Sequence, residues 1–476
     1  MRQGAPVSQL MVAGEEVSAG ADLREIRSPW DGAVVGAVPL VGPEEAREAV
    51  RSAFESMRRG LPAYERGLIL ERAASEIRDR REEFARMLAL EVGKPVKQGL
   101  VEVDRCVQTL TFSAIEARTL AGRGIPMDAH PVGVGHRGFT IRVPIGVVGA
   151  ITPFNFPLNL AAHKVAPAIA AGCGVVLKPA EKAPLTAIEF VRTLHRAGLP
   201  TEWLSVLVGP SDKIGDVFAE DDRVGLITFT GSSEVGWALV SRAPRKRVTL
   251  ELGNSTPLIV CADADLEAAA AAAAVSGYSF AGQSCISVQR VIVDQGIRDE
   301  FLREFIEAVG GLRLGDPLDS ETDLGPVINP EARDRIREWI DEAEAVGAER
   351  LDGGQQQDGH LAPVVLTDVD TDVRVWQREV FGPVVSVRTF QDLTEAITLA
   401  NGTEYGLQAG IFTRDLGTAL TAAEQLEFGG VTINQAPTFR ADQMPYGGTK
   451  ESGNTREGPH NTVREMTEER MIVIRT

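Results

Sequence analysis

The chain has 476 residues, 43% hydrophobic and 24% charged, with 49 basic residues against 67 acidic ones and a net charge of -18. That length accommodates two or three packed domains, each with its own core, and the acidic balance argues against a wide nucleic-acid or anionic-membrane surface. The first residues lack the continuous apolar core of a secretory signal, and no apolar run reaches the roughly 20 residues needed to span a bilayer, so a cytoplasmic location is expected.

Amphipathic periodicity predicts helices near Pro43 to Arg59, Tyr64 to Leu90 and Lys97 to Leu120. The segment from Arg123 to Val143 contains the alternating run Phe139-Thr140-Ile141-Arg142-Val143 and reads as strand. From Gly146 onward short apolar runs alternate with helical segments: Gly146 to Ile151, Val175 to Leu177, Ser205 to Val208 and Leu226 to Phe229. This is the pattern of βαβ units in a parallel sheet, which binds ligands beyond the carboxyl ends of its strands. After Glu251-Leu252-Gly253 a second α/β region begins, with strand Leu258-Ile259-Val260, a helical alanine tract from Ala268 to Ala274, and strands near Val288 to Val293, Val384 to Val387 and Val431 to Ile433. The final run from Arg470 to Arg475 reads as another strand outside both sheets. Two α/β domains with a cleft between them is the expected architecture.

Gly133-Val134-Gly135-His136-Arg137-Gly138 matches the dinucleotide fingerprint GxGxxG. The fingerprint needs a preceding strand and a following helix whose N-terminus meets phosphate. Here strand follows, so the match is read as a turn. The four cysteines, Cys106, Cys173, Cys261 and Cys285, lack metal-site spacing, and no metal is expected. Only eight lysines stand among 49 basic residues, so a retained lysine is informative wherever a compact, deprotonatable cation is needed.

Six motifs follow one another in order: Thr152-Pro153-Phe154-Asn155-Phe156-Pro157, Lys178-Pro179-Ala180-Glu181, Phe229-Thr230-Gly231-Ser232, Leu250-Glu251-Leu252-Gly253, Gly282-Gln283-Ser284-Cys285 and Glu379-Val380-Phe381-Gly382-Pro383. At these residues the chain resembles the aldehyde dehydrogenase superfamily over almost all of its length. The chemistry fits the residue types. A thiolate is soft and strongly nucleophilic, and Cys285 is the candidate to attack an aldehyde; the other three cysteines sit in apolar patterns that suit small buried hydrophobes. A carboxylate between Leu250 and Leu252 is expensive to bury without a purpose. The resemblance makes Glu251 the general base for thioester hydrolysis, and argues against the branch that transfers the acyl group to coenzyme A. It implies that the side-chain amide of Asn155 and the backbone N–H of Cys285 stabilise the oxyanion. It also places Lys164 near the glutamate and nucleophile for proton transfer, although a helix lysine snorkelling to solvent is the competing reading.

For the cofactor, the resemblance implies that Lys178 and Glu181 hold the adenosine ribose, Gly209 lies beside the adenine, Ser232 meets the pyrophosphate, and Glu379 and Phe381 hold the nicotinamide ribose and ring. Ile151, Thr152, Pro153, Phe154, Phe229 and Gly231 belong to the same cofactor surface. A carboxylate at Glu181 repels a 2'-phosphate, so NAD is expected first and NADP second. The fold implied is α/β: a Rossmann-like cofactor domain (1–122 and 144–251), an α/β catalytic domain (252–443) and a small β oligomerisation element (123–143 and 444–476), giving a homodimer or homotetramer.

Arg105 and the stretch Thr438 to Gly448, with Arg440, resemble branches acting on small anionic aldehydes such as phosphonoacetaldehyde or glyceraldehyde 3-phosphate, and on lactaldehyde. Two guanidinium groups clamp an anion well; surface arginine is the plain alternative. Ser284 stands where phosphate-type branches often carry arginine, and Phe156 replaces a polar neighbour. The expected function is oxidation of a small anionic aldehyde such as a phosphonate aldehyde, against a lactaldehyde, semialdehyde or broad-specificity aldehyde dehydrogenase, a cysteine acyl-hydrolase without a redox role, or a non-catalytic binding protein.

Overall fold

A computed structural model of the chain describes residues 6–17, 22–352 and 359–476. Five parallel strands form one sheet in the order Arg247–Glu251, Val224–Thr230, Val147–Ile151, Val175–Lys178, Leu204–Val206. Its inner strands are buried nearly throughout, which is why they read as continuous apolar runs instead of alternating ones. The chain starts this sheet in the middle, builds outward to Leu204–Val206, then returns to the other side at Val224–Thr230. Such a reversal leaves a crevice at the carboxyl ends of the two strands it separates. Here those ends are Ile151 and Thr230.

A seven-stranded sheet follows, ordered Glu349–Asp352, Val364–Thr367, Val384–Phe390, Val288–Asp294, Thr256–Val260, Gln408–Phe412, Gly430–Ile433. Only its first strand is antiparallel. Each large sheet carries its own apolar core, one built from residues up to Leu252 plus Val463 and Met466, the other from Leu258 to Leu426. Thr467–Arg475 pairs antiparallel with His136–Pro144, which also pairs with Gly124–Ile125. The glycine-rich fingerprint match is indeed followed by strand: a short turn at Pro131–Gly133 leads into His136–Pro144. The alanine tract is the helix Leu266–Tyr278, capped by Asp265 accepting from the backbone of Ala268.

Two features depart from the sequence reading. The N-terminal region contains paired strands, Leu10–Val12 with Glu15–Val17 and Leu23–Arg27 with Val34–Pro39, before its helices begin. The long helix expected over Tyr64 to Leu90 is two, Ala63–Asp79 and Arg81–Val92, broken at Arg80 with φ -102° and ψ 23°. No glycine or proline marks the break. Arg80 instead pairs with Glu76, Glu83 and Glu189, contacts that a sequence pattern does not reveal.

One buried ion pair connects these helices to the crevice. Lys94 and Glu102 are each 1% exposed and paired with one another. Glu102 Oε1 accepts the backbone N–H groups of Leu158 and Asn159 at 3.0 and 3.1 Å, unpaired donors at the start of helix Asn159–Ala171. Lys94 Nζ donates to the carbonyl of Asn155 at 2.7 Å. It also lies 3.6 Å from the ring centre of Phe156 and 4.6 Å from that of Phe280, which accounts for an aromatic residue at 156. Lys94→Met strands the Glu102 carboxylate in the interior and should lower the unfolding free energy by about 3–5 kcal/mol. Urea denaturation measures the loss, and adding Glu102→Gln should recover part of it.

Candidate active site

A cavity of about 770 Å³ opens at the crevice. Asn155, Glu251, Cys285, Arg105 and Arg440 all line it, as do Pro153, Phe154, Gly231, Ser232, Glu379 and Phe381. Its outer lip includes Val101, Val275 and Phe439, which are 57%, 59% and 51% exposed.

Cys285 is presented by an unusual loop. Phe280, Ala281 and Gly282 adopt consecutive left-handed conformations, with φ of 50°, 54° and 68°. For the two L-residues this costs roughly 1–2 kcal/mol each. Gly282 is obligatory, because a Cβ there would lie 2.1 Å from the carbonyl oxygen of Gly382. Gln283 locks the loop: its Nε2 donates to the carbonyls of Phe280 and Pro326, and its Oε1 accepts from the N–H of Ile328. Cys285 is half-buried, whereas Cys106, Cys173 and Cys261 are buried. Burial pushes the Cys285 thiol up to about 12, and the hydroxyl of Tyr446, 3.1 Å from Sγ, opposes that rise.

Asn155 Nδ2 donates to the carbonyl of Gln283 at 3.0 Å. An amide nitrogen carries two N–H groups, so one fastens the nucleophile loop and the second is left for a ligand. The backbone N–H of Cys285 has no partner among the described residues. Asn155 and Cys285 line the same cavity, so each brings a spare donor to it.

Glu251 ends the edge strand Arg247–Glu251 and is 4% exposed, yet neither of its carboxylate oxygens has a hydrogen-bond partner. Burial first, and repulsion from Glu457 second, hold it well above the ordinary carboxylate range; Arg440 and Lys164 pull the other way. Gly447 makes room for it, since a Cβ there would lie 2.8 Å from Glu251 Oε1. Lys164 does not snorkel. It is 1% exposed, donating to Thr228 Oγ1 at 3.0 Å and pairing with Glu457 Oε1 at 3.1 Å. Lys164, His163 and Arg440 hold Glu457 down at about 2 against the effect of its burial.

The residues expected at the cofactor fall into three groups. Pro153, Phe154, Gly231, Ser232, Glu379 and Phe381 face the cavity, with Phe154 and Phe381 edge-to-face at 5.8 Å. Ile151, Thr152 and Phe229 lie just behind, at the strand ends. Ser232 starts helix Ser233–Arg242 without a side-chain cap, and the buried Oγ1 atoms of Thr152 and Thr230 lack partners. Uncapped amides and orphaned hydroxyls at a crevice suit an anionic nucleotide. Lys178 donates to Ser211 Oγ at 2.6 Å, and burial first, then Arg24, lower it to about 8. Glu181 pairs with Arg24 and lines a neighbouring cavity of about 660 Å³. Gly209 is closed against the backbone, its missing Cβ position lying 2.0 Å from the carbonyl of Val41.

Neither candidate substrate arginine is a lone cation. Arg105, its side chain 22% exposed, pairs with Asp442 at 2.9 Å. Arg440, 5% exposed, pairs with Glu457 at 3.1 Å and lies 3.8 Å from the ring centre of Tyr446, while its Nε is buried without a partner.

The profile of the aldehyde dehydrogenase family matches residues 17–472. The chain belongs to the aldehyde dehydrogenase family. It is an oxidoreductase acting on an aldehyde group. It is 42% identical over 454 residues to a 3-sulfolactaldehyde dehydrogenase of Priestia megaterium, covering 95% of each chain. The fold is similar to that of aldehyde dehydrogenase 21 from Physcomitrella patens in complex with the reaction product succinate, with TM-score 0.96, 37% identity and 99% of both chains covered. A glyceraldehyde-3-phosphate dehydrogenase GapN from Methanocaldococcus jannaschii, complexed with NADP, superimposes with TM-score 0.92 at 38% identity over 96% of this chain and 100% of that one.

In this aldehyde dehydrogenase, sequence reasoning took in Asp442 and Tyr446 only as members of the stretch Thr438 to Gly448, without a role, and missed Glu457 and the Lys94–Glu102 pair. Lys94 carried a usable signal, being one of the scarce lysines. Glu379 offers a test of the site's electrostatics. It accepts a hydrogen bond from the backbone N–H of Asn254 at 3.2 Å, and burial raises it from the ordinary 4.5 to about 7. A raised carboxyl pKa means the folded state resists ionisation: there is no penalty below pH 4.5, a growing one up to pH 7, and the full penalty above. Glu379→Gln keeps the acceptor and cannot ionise. Calorimetry should show a higher Tm than the unsubstituted enzyme at pH 8 and little difference near pH 5.

Proposed function

We propose that this NAD(P)-dependent enzyme oxidises a small anionic aldehyde to its carboxylate through a thioester on Cys285, which water hydrolyses with Glu251 as base. The observation that carries this reading is the cavity itself: it joins a half-buried thiol, two spare donors, an unpartnered carboxylate and two guanidinium groups. A cysteine acyl-hydrolase without a redox role gives no reason for the cofactor-like crevice beside them.

Attack by Cys285 places negative charge on the aldehyde oxygen, where the second N–H of Asn155 and the backbone N–H of Cys285 stabilise it. A nicotinamide held by Glu379 and Phe381 would supply the hydride acceptor for the aldehyde carbon. Glu251 then takes a proton from water as it attacks the thioester. Burial, and repulsion from Glu457, raise the Glu251 carboxyl above the ordinary range, so its basic form gains as pH rises, and Lys164 with Glu457 lies beside it to assist proton transfer. Hydrolysis therefore accelerates as pH rises.

Both dinucleotides fit this site. A free carboxylate at 181 would disfavour a 2'-phosphate, but Arg24 pairs with Glu181 and answers its charge, and Lys178 and Ser211 supply donors next to it. Support comes from the relatives: the GapN structure is complexed with NADP, and a betaine aldehyde dehydrogenase of Staphylococcus aureus, 34% identical, is complexed with NAD+.

The anion is assigned to the more exposed Arg105, with the unpartnered Nε of Arg440 as a second donor. The Priestia relative is named for a sulfonate-bearing aldehyde, so sulfonate joins phosphonate and carboxylate as the anion to test; lactaldehyde is neutral and serves as a comparison. Reduced-nicotinamide absorbance should show kcat/KM for 3-sulfolactaldehyde, phosphonoacetaldehyde or succinic semialdehyde exceeding that for lactaldehyde and propanal. Arg105→Ala should cut the charged preference about tenfold or more, the worth of one charge-assisted contact. Cys285→Ala should produce no reduced nicotinamide with any aldehyde, and Glu251→Gln should give a single burst without steady turnover. Equal use of propanal overturns the anionic substrate; no cofactor reduction with any aldehyde overturns the whole reading.

We also infer that the sheet containing Thr467–Arg475 joins subunits. Its edge strand exposes Met471, Val473 and Ile474 at 43%, 52% and 48%, an apolar edge that demands a cover. Sedimentation should find a dimer or tetramer, and Met471→Glu with Val473→Lys should shift the protein toward smaller species.

A further inference from the structure

Tyr446 is 4% exposed, and its ring packs with Ile286 and Leu407 beside Cys285. A phenylalanine would fill the same space. The hydroxyl is therefore surplus to packing, and a buried hydroxyl is expensive unless it is hydrogen-bonded. Its one partner among the described residues is Cys285 Sγ, at 3.1 Å.

The surroundings fix this contact from the opposite face. The backbones of Tyr446 and Glu457 bond reciprocally, N–H to carbonyl, at 3.0 and 2.6 Å. The Glu457 carboxylate holds Arg440, whose guanidinium lies over the Tyr446 ring at 3.8 Å. A cation there polarises the phenol and makes its O–H a better donor. The other charged groups acting on the sulfur are Glu379 and Glu251, which disfavour a thiolate, and Arg440, which favours one.

We propose that the Tyr446 hydroxyl is a catalytic group of this enzyme, donating its hydrogen bond to the Cys285 thiolate and so favouring the reactive form of the nucleophile. The proposal rests on the reading of Cys285 as nucleophile and adds the group that prepares it. The thiol first loses its proton to solvent, and Tyr446 O–H then donates to the sulfur. As a sulfur lone pair forms the C–S bond, the C=O π pair moves to oxygen and the contact with Tyr446 is released. Tyr446 keeps its proton throughout.

The test is alkylation by iodoacetamide, with Cys285 modification followed by mass spectrometry from pH 6 to 10 in the unsubstituted enzyme and in Tyr446→Phe. Loss of the donor should raise the thiol pKa by one unit or more. Each unit lowers the thiolate fraction about tenfold, and the more basic thiolate regains about threefold in nucleophilicity, so the variant should react about threefold more slowly per unit. With the thiol pushed up to about 12, that ratio should hold across pH 6 to 10; a displaced loop would also slow alkylation in Tyr446→Phe, but it would gain nothing from a more acidic phenol. Replacing Tyr446 with 3-fluorotyrosine, a more acidic phenol of nearly the same size, should accelerate alkylation. Unchanged rates in both variants, or no acceleration with 3-fluorotyrosine, overturn the proposal. If iodoacetamide modifies Cys285 in the unsubstituted enzyme without abolishing cofactor reduction, the nucleophile assignment fails and takes the proposal with it.

Discussion

The buried pair of Lys94 and Glu102 is the constraint on which the reaction centre depends. Two ions removed from water repay their desolvation only when every remaining donor and acceptor is used. Here they are used on parts of the site. Glu102 takes the first amides of helix Asn159–Ala171, the helix that carries Lys164, and Lys94 holds the carbonyl of Asn155 while lying against Phe280 of the nucleophile loop. Asn155 in turn grips Gln283. Asn155, Lys164 and the loop that presents Cys285 are thus set by one electrostatic anchor between helices Arg81–Val92 and Val96–Thr119, away from the sheets that supply the bulk of the core.

Around that anchor the site withholds satisfaction from several polar atoms. Both oxygens of Glu251, Oδ1 of Asn155, Oγ1 of Thr230 and Nε of Arg440 are buried without partners. Each such atom costs on the order of 1–3 kcal/mol, and the left-handed Phe280 and Ala281 add backbone strain. The two large cores offset this. Such atoms also occur away from the cavity, at Arg66 Nε, Thr367 Oγ1 and Ser386 Oγ for example, but Arg290, fully buried in the second core, is paired: it donates to the carbonyls of Ser255, Leu399 and Ala400.

The two parallel sheets were legible in the sequence because buried strands read as apolar runs, and the family because its motifs follow one another in a fixed order; the structure brings Asn155, Glu251 and Cys285 of those motifs to one cavity. Burial decided what the motif could not for Lys164, excluding a solvent-seeking side chain. The paired N-terminal strands were too short for periodicity to register, and the break at Arg80 depends on Glu189, 109 residues away. Distance also hid the contacts of Tyr446, Asp442 and Glu457: they meet Cys285, Arg105 and Lys164 across 161, 337 and 293 residues. No local pattern encodes such meetings. The two arginines illustrate the same limit, since their residue type suggested an anion clamp whereas their carboxylate partners appear only in three dimensions.

The exposed lip of the cavity has an evolutionary consequence. Val101, Val275 and Phe439 present half or more of their surface to solvent, whereas Lys94, Asn155, Glu251 and Cys285 are embedded in mutually dependent contacts. Substitutions at such exposed positions usually change stability by little. Drift can therefore reshape the entrance, adding or removing a charge or a methyl group, while the buried residues at the cavity floor stay in register. Retargeting to a new aldehyde is a short mutational walk along the rim, and inventing a new reaction in this scaffold is a long one through its interior.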